Sequence, residues 1–236
     1  MEAIILAGGL GTRLRPVIKD LPKPMADVNG KPFLAHLMDY WIKQGVKRFI
    51  LSVGYKSEII RDYFGDEYNG VSVAYSIEKK PLGTGGGLLL ALKQLNSRED
   101  CLVLNGDSFF KINLKDFLDF HKEKKADLTM ALKKLDQNDR YMGVALDEDN
   151  RVVNLSLQSD ANGFLINGGI YLIKPTVFDG FEYQRDQKIS LEAEIFPALL
   201  KEQVSLYGHA VSEDFIDIGM PEDYDKMKNW DYILNS

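Results

Sequence analysis

Between residue 3 and about residue 124, short apolar runs alternate with amphipathic stretches of helical period. That alternation narrows the fold more than any other feature of the chain. Residues 3–7 are apolar and stop on Gly8-Gly9, bounded like a buried strand. In residues 33–44, Phe33, Leu34, Leu37, Met38, Trp41 and Ile42 fall on one helical face. Gly45 closes that helix, and residues 49–53 form the next strand. Residues 57–64 read as a second amphipathic helix, 71–77 as an alternating strand and 86–95 as a helix apolar on most sides. Residues 101–104 are another buried strand, leading into Asn105-Gly106-Asp107. Such a series predicts parallel strands joined by crossover helices.

The pattern shifts after residue 127. Short strands are expected at 128–132, 143–146, 152–157 and 168–173, and a helix at 190–202 is interrupted by Pro197. Closing strands follow at 204–209 and 215–218, then a final helix at 221–233. With no Pro- or Ser-rich linker and no repeat, 236 residues suit one core. The expected architecture is α/β, a Rossmann-like three-layer α/β/α arrangement with a mainly parallel central sheet that the second half completes and covers.

Charge and composition exclude several classes. A formal net charge of −6 opposes general nucleic-acid binding. No apolar run approaches the ~20 residues of a membrane span, and the N-terminus reaches glycine too soon for a secretory segment. The one cysteine, Cys101, leaves no intrachain disulfide. These features fit a cytoplasmic protein with neither nucleic acid nor membrane among its partners. Against the acidic average, the stretch 11–32 carries five basic residues (Arg13, Arg15, Lys19, Lys23, Lys31) and two acidic ones (Asp20, Asp27), a setting for a small anionic ligand.

Three features place chemistry at the ends of the first-half strands. The loop from Leu6 to Arg15, LAGGLGTRLR, brings backbone N–H groups and arginines up to a phosphate. It is not a dinucleotide fingerprint, because Leu14 stands where the third glycine belongs and Pro16 disfavours the helix that should follow; no P-loop occurs either. In Leu21-Pro22-Lys23-Pro24-Met25, two prolines fix the path of one lysine. Asp107, just past a buried strand, and Asp217, within Phe215-Ile216-Asp217-Ile218-Gly219, supply two carboxylates, a number that suits Mg²⁺ with water and phosphate as its other ligands.

LAGGLGTRLRP, LPKPM, Gly30-Lys31-Pro32-Phe33-Leu34, Pro81-Leu82-Gly83-Thr84-Gly85-Gly86, Asn105-Gly106-Asp107, Asn167-Gly168-Gly169-Ile170-Tyr171 and FIDIGMPEDY resemble, in order and spacing, the nucleoside-diphosphate-sugar pyrophosphorylases. Within that family the chain is most similar to the bacterial D-glycero-D-manno-heptose 1-phosphate guanylyltransferases. The resemblance implies a single nucleotidyltransferase domain over 1–236, with a nucleotide-binding half at about 1–125 and a sugar-binding, closing half at about 126–236. It implies Mg²⁺ held by Asp107 and Asp217, with Arg13, Lys23 and Asp107 as the catalytic set. The nucleotide side takes Leu6, Ala7, Gly8, Gly9, Gly11, Thr12 and Arg13, together with Glu78, Pro81, Gly83, Thr84 and Gly106. The sugar-phosphate side takes Asn167, Gly168, Glu192 and Lys174. The resemblance also admits a homodimer, the C-terminal stretch with Tyr224, Met227, Trp230, Tyr232 and Ile233 packing either within the chain or across an interface.

The implied reaction joins a nucleoside triphosphate and a sugar 1-phosphate, with release of pyrophosphate. A phosphate nucleophile is already ionised at neutral pH, so no general base is needed, and His36, His121 and His209 are not expected in the site. Glu78 stands where thymidylyltransferases of the family carry glutamine, and its carboxylate suits the two donors on one edge of guanine. GTP is therefore the expected nucleotide and a manno-configured heptose 1-phosphate the expected acceptor. The alternatives are a thymidylyl-, uridylyl- or cytidylyltransferase acting on a hexose 1-phosphate, a mannose 1-phosphate guanylyltransferase, and a non-catalytic nucleotide-sugar sensor. A nicotinamide oxidoreductase is disfavoured by the missing third glycine.

Overall fold

The computed structural model describes residues 1–9, 18, 20–136, 141–156, 164–181 and 187–229. Its first half runs β1 (Glu2–Leu6), a ribbon of β2 (Asp27–Val28) and β3 (Lys31–Pro32), α1 (Phe33–Lys43), β4 (Arg48–Val53) and α2 (Ser57–Phe64). It continues through β5 (Glu67–Tyr68), β6 (Val71–Ile77), α3 (Gly83–Ala91), β7 (Cys101–Asn105), β8 (Ser108–Phe110) and α4 (Leu114–Glu123). The second half contributes β9 (Leu128–Leu135), β10 (Gly143–Leu146), β11 (Val152–Ser156), β12 (Phe164–Ile173), α5 (Phe196–Lys201), β13 (Leu206–Val211), β14 (Phe215–Asp217) and α6 (Pro221–Lys228).

The parallel heart of the sheet is β7-β1-β4-β6. Its strands are apolar runs because both faces are covered. Successive residues take opposite faces: Ile5, Leu51 and Leu104 pack into one core with α1, α2, α4 and α6, while Ile4, Ile50 and Val103 pack into the other with α3 and α5. The result is the expected three-layer arrangement. The stripe on α1 buries Phe33, Leu34, Leu37, Met38 and Trp41, each at most 2% exposed, and burying one such side chain stabilises by about 1.5–3 kcal/mol.

The second half extends the same sheet to ten strands, in the order β11-β10-β12-β7-β1-β4-β6-β5, with β9 on β12 and β13 on β9. β12 runs antiparallel to β7, placing Ile170 beside Leu104 and Ile173 beside Cys101. It begins at Phe164, four residues before the expected start, and passes through Asn167-Gly168-Gly169 with a register shift against β9 instead of starting there. The interruption expected at Pro197 is a widened π-helical turn, Leu191–Ile195, leading into α5 with Pro197 in its first turn. A proline has no N–H to give the preceding turn, and the wider turn absorbs the missing bond.

α6 ends at Lys228, and Trp230, Tyr232 and Ile233 lie outside the described residues. Tyr224 and Met227 pack into the chain's own core. Among the described residues no helix is long and apolar enough to cross a membrane.

Candidate active site

From β1 the chain steps to β4 and β6 on one side and to β7 on the other, so the strand order reverses between β1 and β7. Ligands of open α/β sheets gather at the carboxyl ends of strands at such a point. There Leu6 and Asn105 lie side by side in register, and the Gly106 N–H donates to the Leu6 carbonyl at 2.9 Å. A cleft of about 420 Å³ opens over them. Leu6 to Gly9 and Asn105 to Asp107 line it, with Ser52, Glu78, Pro81, Gly83, Thr84 and Gly87, Lys188 from the segment bonded to the Leu82–Gly86 stretch, and Lys23, Pro24, Asp217 and Gly219.

The charged end centres on Lys23. Its 3₁₀ turn, Lys23–Met25, is entered from Pro22 at φ −65° and carries Pro24 within it, so the backbone is stiff before any ligand arrives. Nζ lies 2.7 Å from Asp107 Oδ2 and 3.7 Å from Asp217 Oδ1. The two aspartates come together because β8 and β14 pair, with Asp217 opposite Ser108 and the Ile218 N–H donating to the Asp107 carbonyl at 2.9 Å. Gly219 N–H donates to Asp217 Oδ1 at 2.7 Å. Among the described residues no cluster of three or more His, Cys, Asp or Glu side chains could hold a metal ion. A pair of carboxylates beside open cleft fits a hard ion that keeps water and phosphate oxygens as its remaining ligands.

The opposite end centres on Glu78. Its Oε2 accepts the Leu82 N–H at 2.9 Å, and the Ser52 hydroxyl lies 3.5 Å from Oε1. Burial pushes its pKa up, with those two contacts opposing. Gly8 passes beside the carboxylate, where a Cβ would stand 2.3 Å from Oε1. The loop beyond Glu78 is locked to the second half of the chain. Gly83, at φ +75°, lies against the Ile189 carbonyl, which accepts the N–H groups of Gly85 and Gly86, while Ile189 N–H donates to the Leu82 carbonyl. The Thr84 hydroxyl donates to Glu192 Oε2 at 2.8 Å and accepts the Leu191 N–H at 2.9 Å; the Ser190 hydroxyl also reaches Glu192.

The cleft therefore brings together Leu6, Ala7, Gly8, Gly9, Lys23, Glu78, Pro81, Gly83, Thr84, Gly106, Asp107 and Asp217. Gly11, Thr12 and Arg13 lie outside the described residues. Glu192 is tied to this set through Thr84. Asn167 is turned inward: its Nδ2 donates to the Tyr171 hydroxyl at 2.7 Å and its Oδ1 accepts the Gly169 N–H, so its side chain shapes the irregular part of β12. Gly168 packs against Phe110. Burial, followed by the charge of Glu192, pushes the Tyr171 phenol's pKa up.

Lys174 does not belong with this set. Because β12 is antiparallel to β7, Lys174 emerges at the opposite end of the sheet, seven residues past Asn167 or roughly 20 Å at strand rise. There it lies 3.6 Å from Asp127. Sequence alone does not carry strand direction, and the expectation fails on that point.

Lys188, Ser52 and Gly87 also line the cleft and belong to none of the motifs above. A hydroxyl inside the apolar run of β4 was the available pointer to Ser52; Lys188 sits in no recognisable motif. None of the three histidines is among the described residues that line the cleft, and burial lowers the pKa of each.

Comparison with known proteins adds to this geometry. The sequence pattern of the nucleotidyl transferase family matches residues 2–231. A D-glycero-alpha-D-manno-heptose 1-phosphate guanylyltransferase of Campylobacter jejuni is 45% identical over 226 residues, covering 95% of this chain and 97% of its own. One from Aneurinibacillus thermoaerophilus is 43% identical over 228 residues, covering 96% of each chain. The crystal structure of HddC from Yersinia pseudotuberculosis complexed with GMP-PN superposes with a TM-score of 0.82 at 36% identity, covering 97% of this chain and 98% of that one.

Proposed function

The chain belongs to the nucleotidyl transferase family and is a nucleotidyltransferase; on that premise we propose that it is a single catalytic domain that transfers guanylyl from GTP to D-glycero-α-D-manno-heptose 1-phosphate. The observation that carries the chemistry is the placement of Lys23, Asp107 and Asp217 together at the switch point between β1 and β7.

In this reading an oxygen of the sugar 1-phosphate attacks the α-phosphorus in line. The new O–P bond forms as the bond to the β-phosphate bridge breaks, and pyrophosphate leaves with the electron pair. The acceptor oxygen carries charge already, so no side chain has to take a proton. What the protein supplies is alignment of two anions and relief of their repulsion. Asp107 and Asp217 would hold Mg²⁺, which when bound neutralises phosphate charge. Lys23 offers its ammonium to the reacting phosphates from a backbone that cannot shift, and Arg13 belongs to the same task.

Glu78 is the proposed reader of the base. A carboxylate offers about four lone-pair sites, so the contacts to Leu82 and Ser52 leave room for the N1–H and N2–H₂ of guanine. Thymine presents a carbonyl where guanine presents a donor, and it would meet the carboxylate with repulsion. Lys188, reaching into the cleft from the segment locked to the PLGTGG loop, takes the place first expected of Lys174 beside the sugar phosphate. The heptose rests on the two guanylyltransferase relatives.

The test is pyrophosphate release with Mg²⁺, pairing GTP, dTTP, UTP, CTP and ATP with heptose and hexose 1-phosphates. Release with GTP and the manno-heptose phosphate is expected. Release only with another base would discard the role of Glu78, and release with no pair would discard the proposed reaction.

A further inference from the structure

Lys23 and the two aspartates stand above as separate parts, a cation for phosphates and two carboxylates for a metal ion. Their geometry makes them competitors. The ammonium lies 2.7 Å from Asp107 Oδ2 and 3.7 Å from Asp217 Oδ1, so it faces both carboxylates that would hold the ion. It is also the less accessible partner: the Lys23 side chain is 13% exposed, against 42% for Asp107 and 25% for Asp217.

The backbone cannot carry the ammonium away. Met25 N–H donates to the Pro22 carbonyl and Ala26 N–H to that of Lys23, while Pro24, Met25 and Ala26 are buried. Gly219 closes one flank, where even a Cβ would stand 2.9 Å from Nζ and 2.8 Å from Asp217 Oδ1. Lys23 lines the cleft, so rotation about its side-chain bonds can carry the ammonium toward a triphosphate bound there. An ammonium and a divalent cation a few ångströms apart repel, so the two do not share the carboxylates without an anion between them.

We infer that Lys23 blocks the metal site of the substrate-free protein: its ammonium lies against Asp107 and Asp217 until the triphosphate draws it into the cleft and takes its charge away from the ion's site. The inference rests on the reading of Asp107 and Asp217 as metal ligands. Nucleotide and ion then favour each other's binding by the same factor, as linkage requires.

The test is Mn²⁺ binding to the full chain without nucleotide, followed through the electron paramagnetic resonance signal of the free ion. Lys23→Ala and Lys23→Gln are expected to bind Mn²⁺ about tenfold or more tightly than the parent, within the usual span of coupling between sites. The Gln variant keeps the side-chain length should the Ala variant settle differently, and melting curves check that both fold. The gain should vanish in Lys23→Ala/Asp107→Asn, and a non-hydrolysable GTP analogue should tighten Mn²⁺ binding to the parent. Equal or weaker Mn²⁺ binding by both Lys23 variants, with Asp107→Asn still abolishing binding in the presence of nucleotide, overturns the blocking role and leaves the metal ligands standing. Mn²⁺ binding indifferent to Asp107→Asn under every condition removes the metal ligands, and the inference falls with them.

Discussion

The two ends of the cleft follow opposite plans. At one end Lys23, Asp107 and Asp217 are charged side chains set against one another on a backbone that prolines and strand pairing hold still. At the other, Glu78 is one half-buried carboxylate held by the Leu82 N–H and the Ser52 hydroxyl, with Gly8 and Gly87 close enough that a Cβ on either would strike it. The first end can exchange partners as charge moves, which suits a reaction. The second cannot rearrange without disturbing its neighbours, which suits discrimination. Substitutions at the first should therefore change rate, and those at the second should change choice.

The largest effect is expected at the charged end. Asp107→Ala or Lys23→Ala should lower turnover by roughly two orders of magnitude or more, the scale of losing one preorganised electrostatic contact. Base preference should stay intact among the residual turnovers. Near-normal pyrophosphate release in either variant would break the comparison at its strongest point.

At the other end, Glu78→Gln should reduce the preference for GTP over dTTP by about ten- to a hundredfold, the worth of a hydrogen bond to a charged group, while turnover with saturating nucleotide changes little. The preference also gains a pH signature. Burial raises the Glu78 pKa, and the ionised form is the one that accepts from guanine. As pH falls, GTP preference should begin to fade while an ordinary exposed glutamate is still ionised. A preference that holds flat through that range, or that fades equally in the Glu78→Gln variant, assigns the base choice elsewhere.

Lys188→Ala should raise KM for the sugar phosphate up to about fivefold with kcat nearly unchanged, as befits an exposed ion pair. An unchanged KM would return Lys188 to the solvent. The smallest effect belongs to Lys174→Ala: with its contact to Asp127 at the far end of the sheet, stability should move by no more than about 0.5 kcal/mol, and sugar-phosphate kinetics should not move. A raised KM there would put the strand direction of β12 in question.

How much of this could be read in advance follows from where the physics is local. The helix 57–64 and the strand 71–77 occur at their expected bounds, and α1, β1 and β4 within a residue or so, because a burial pattern in one segment is written in that segment. α3 starts at Gly83 instead of residue 86, because its glycines gain nothing locally and take helical form by docking on Ile189 from the other half of the chain. β2, β3 and β8 have two or three residues, too short to show a period; β14 falls within the expected strand 215–218, but its pairing with β8 is not written in either segment.

The site divides the same way. Lys23, Asp107 and Glu78 stand in recognisable surroundings, and all three line the cleft. Lys188 enters through a segment whose position depends on a contact with a loop a hundred residues earlier, and Lys174 was misplaced by an antiparallel step that no local pattern announces.

The lock between the PLGTGG loop and the segment 189–192 has one more consequence. Leu82, Gly85 and Gly86 bond to Ile189, and Thr84 bonds to Leu191 and Glu192, so the proposed base wall and the proposed sugar wall are one piece. Such a piece works as a gauge: it sets the spacing between the two substrates once, for every turnover. Trading side chains along the gauge leaves that spacing intact, whereas lengthening or shortening either arm would move both walls at once.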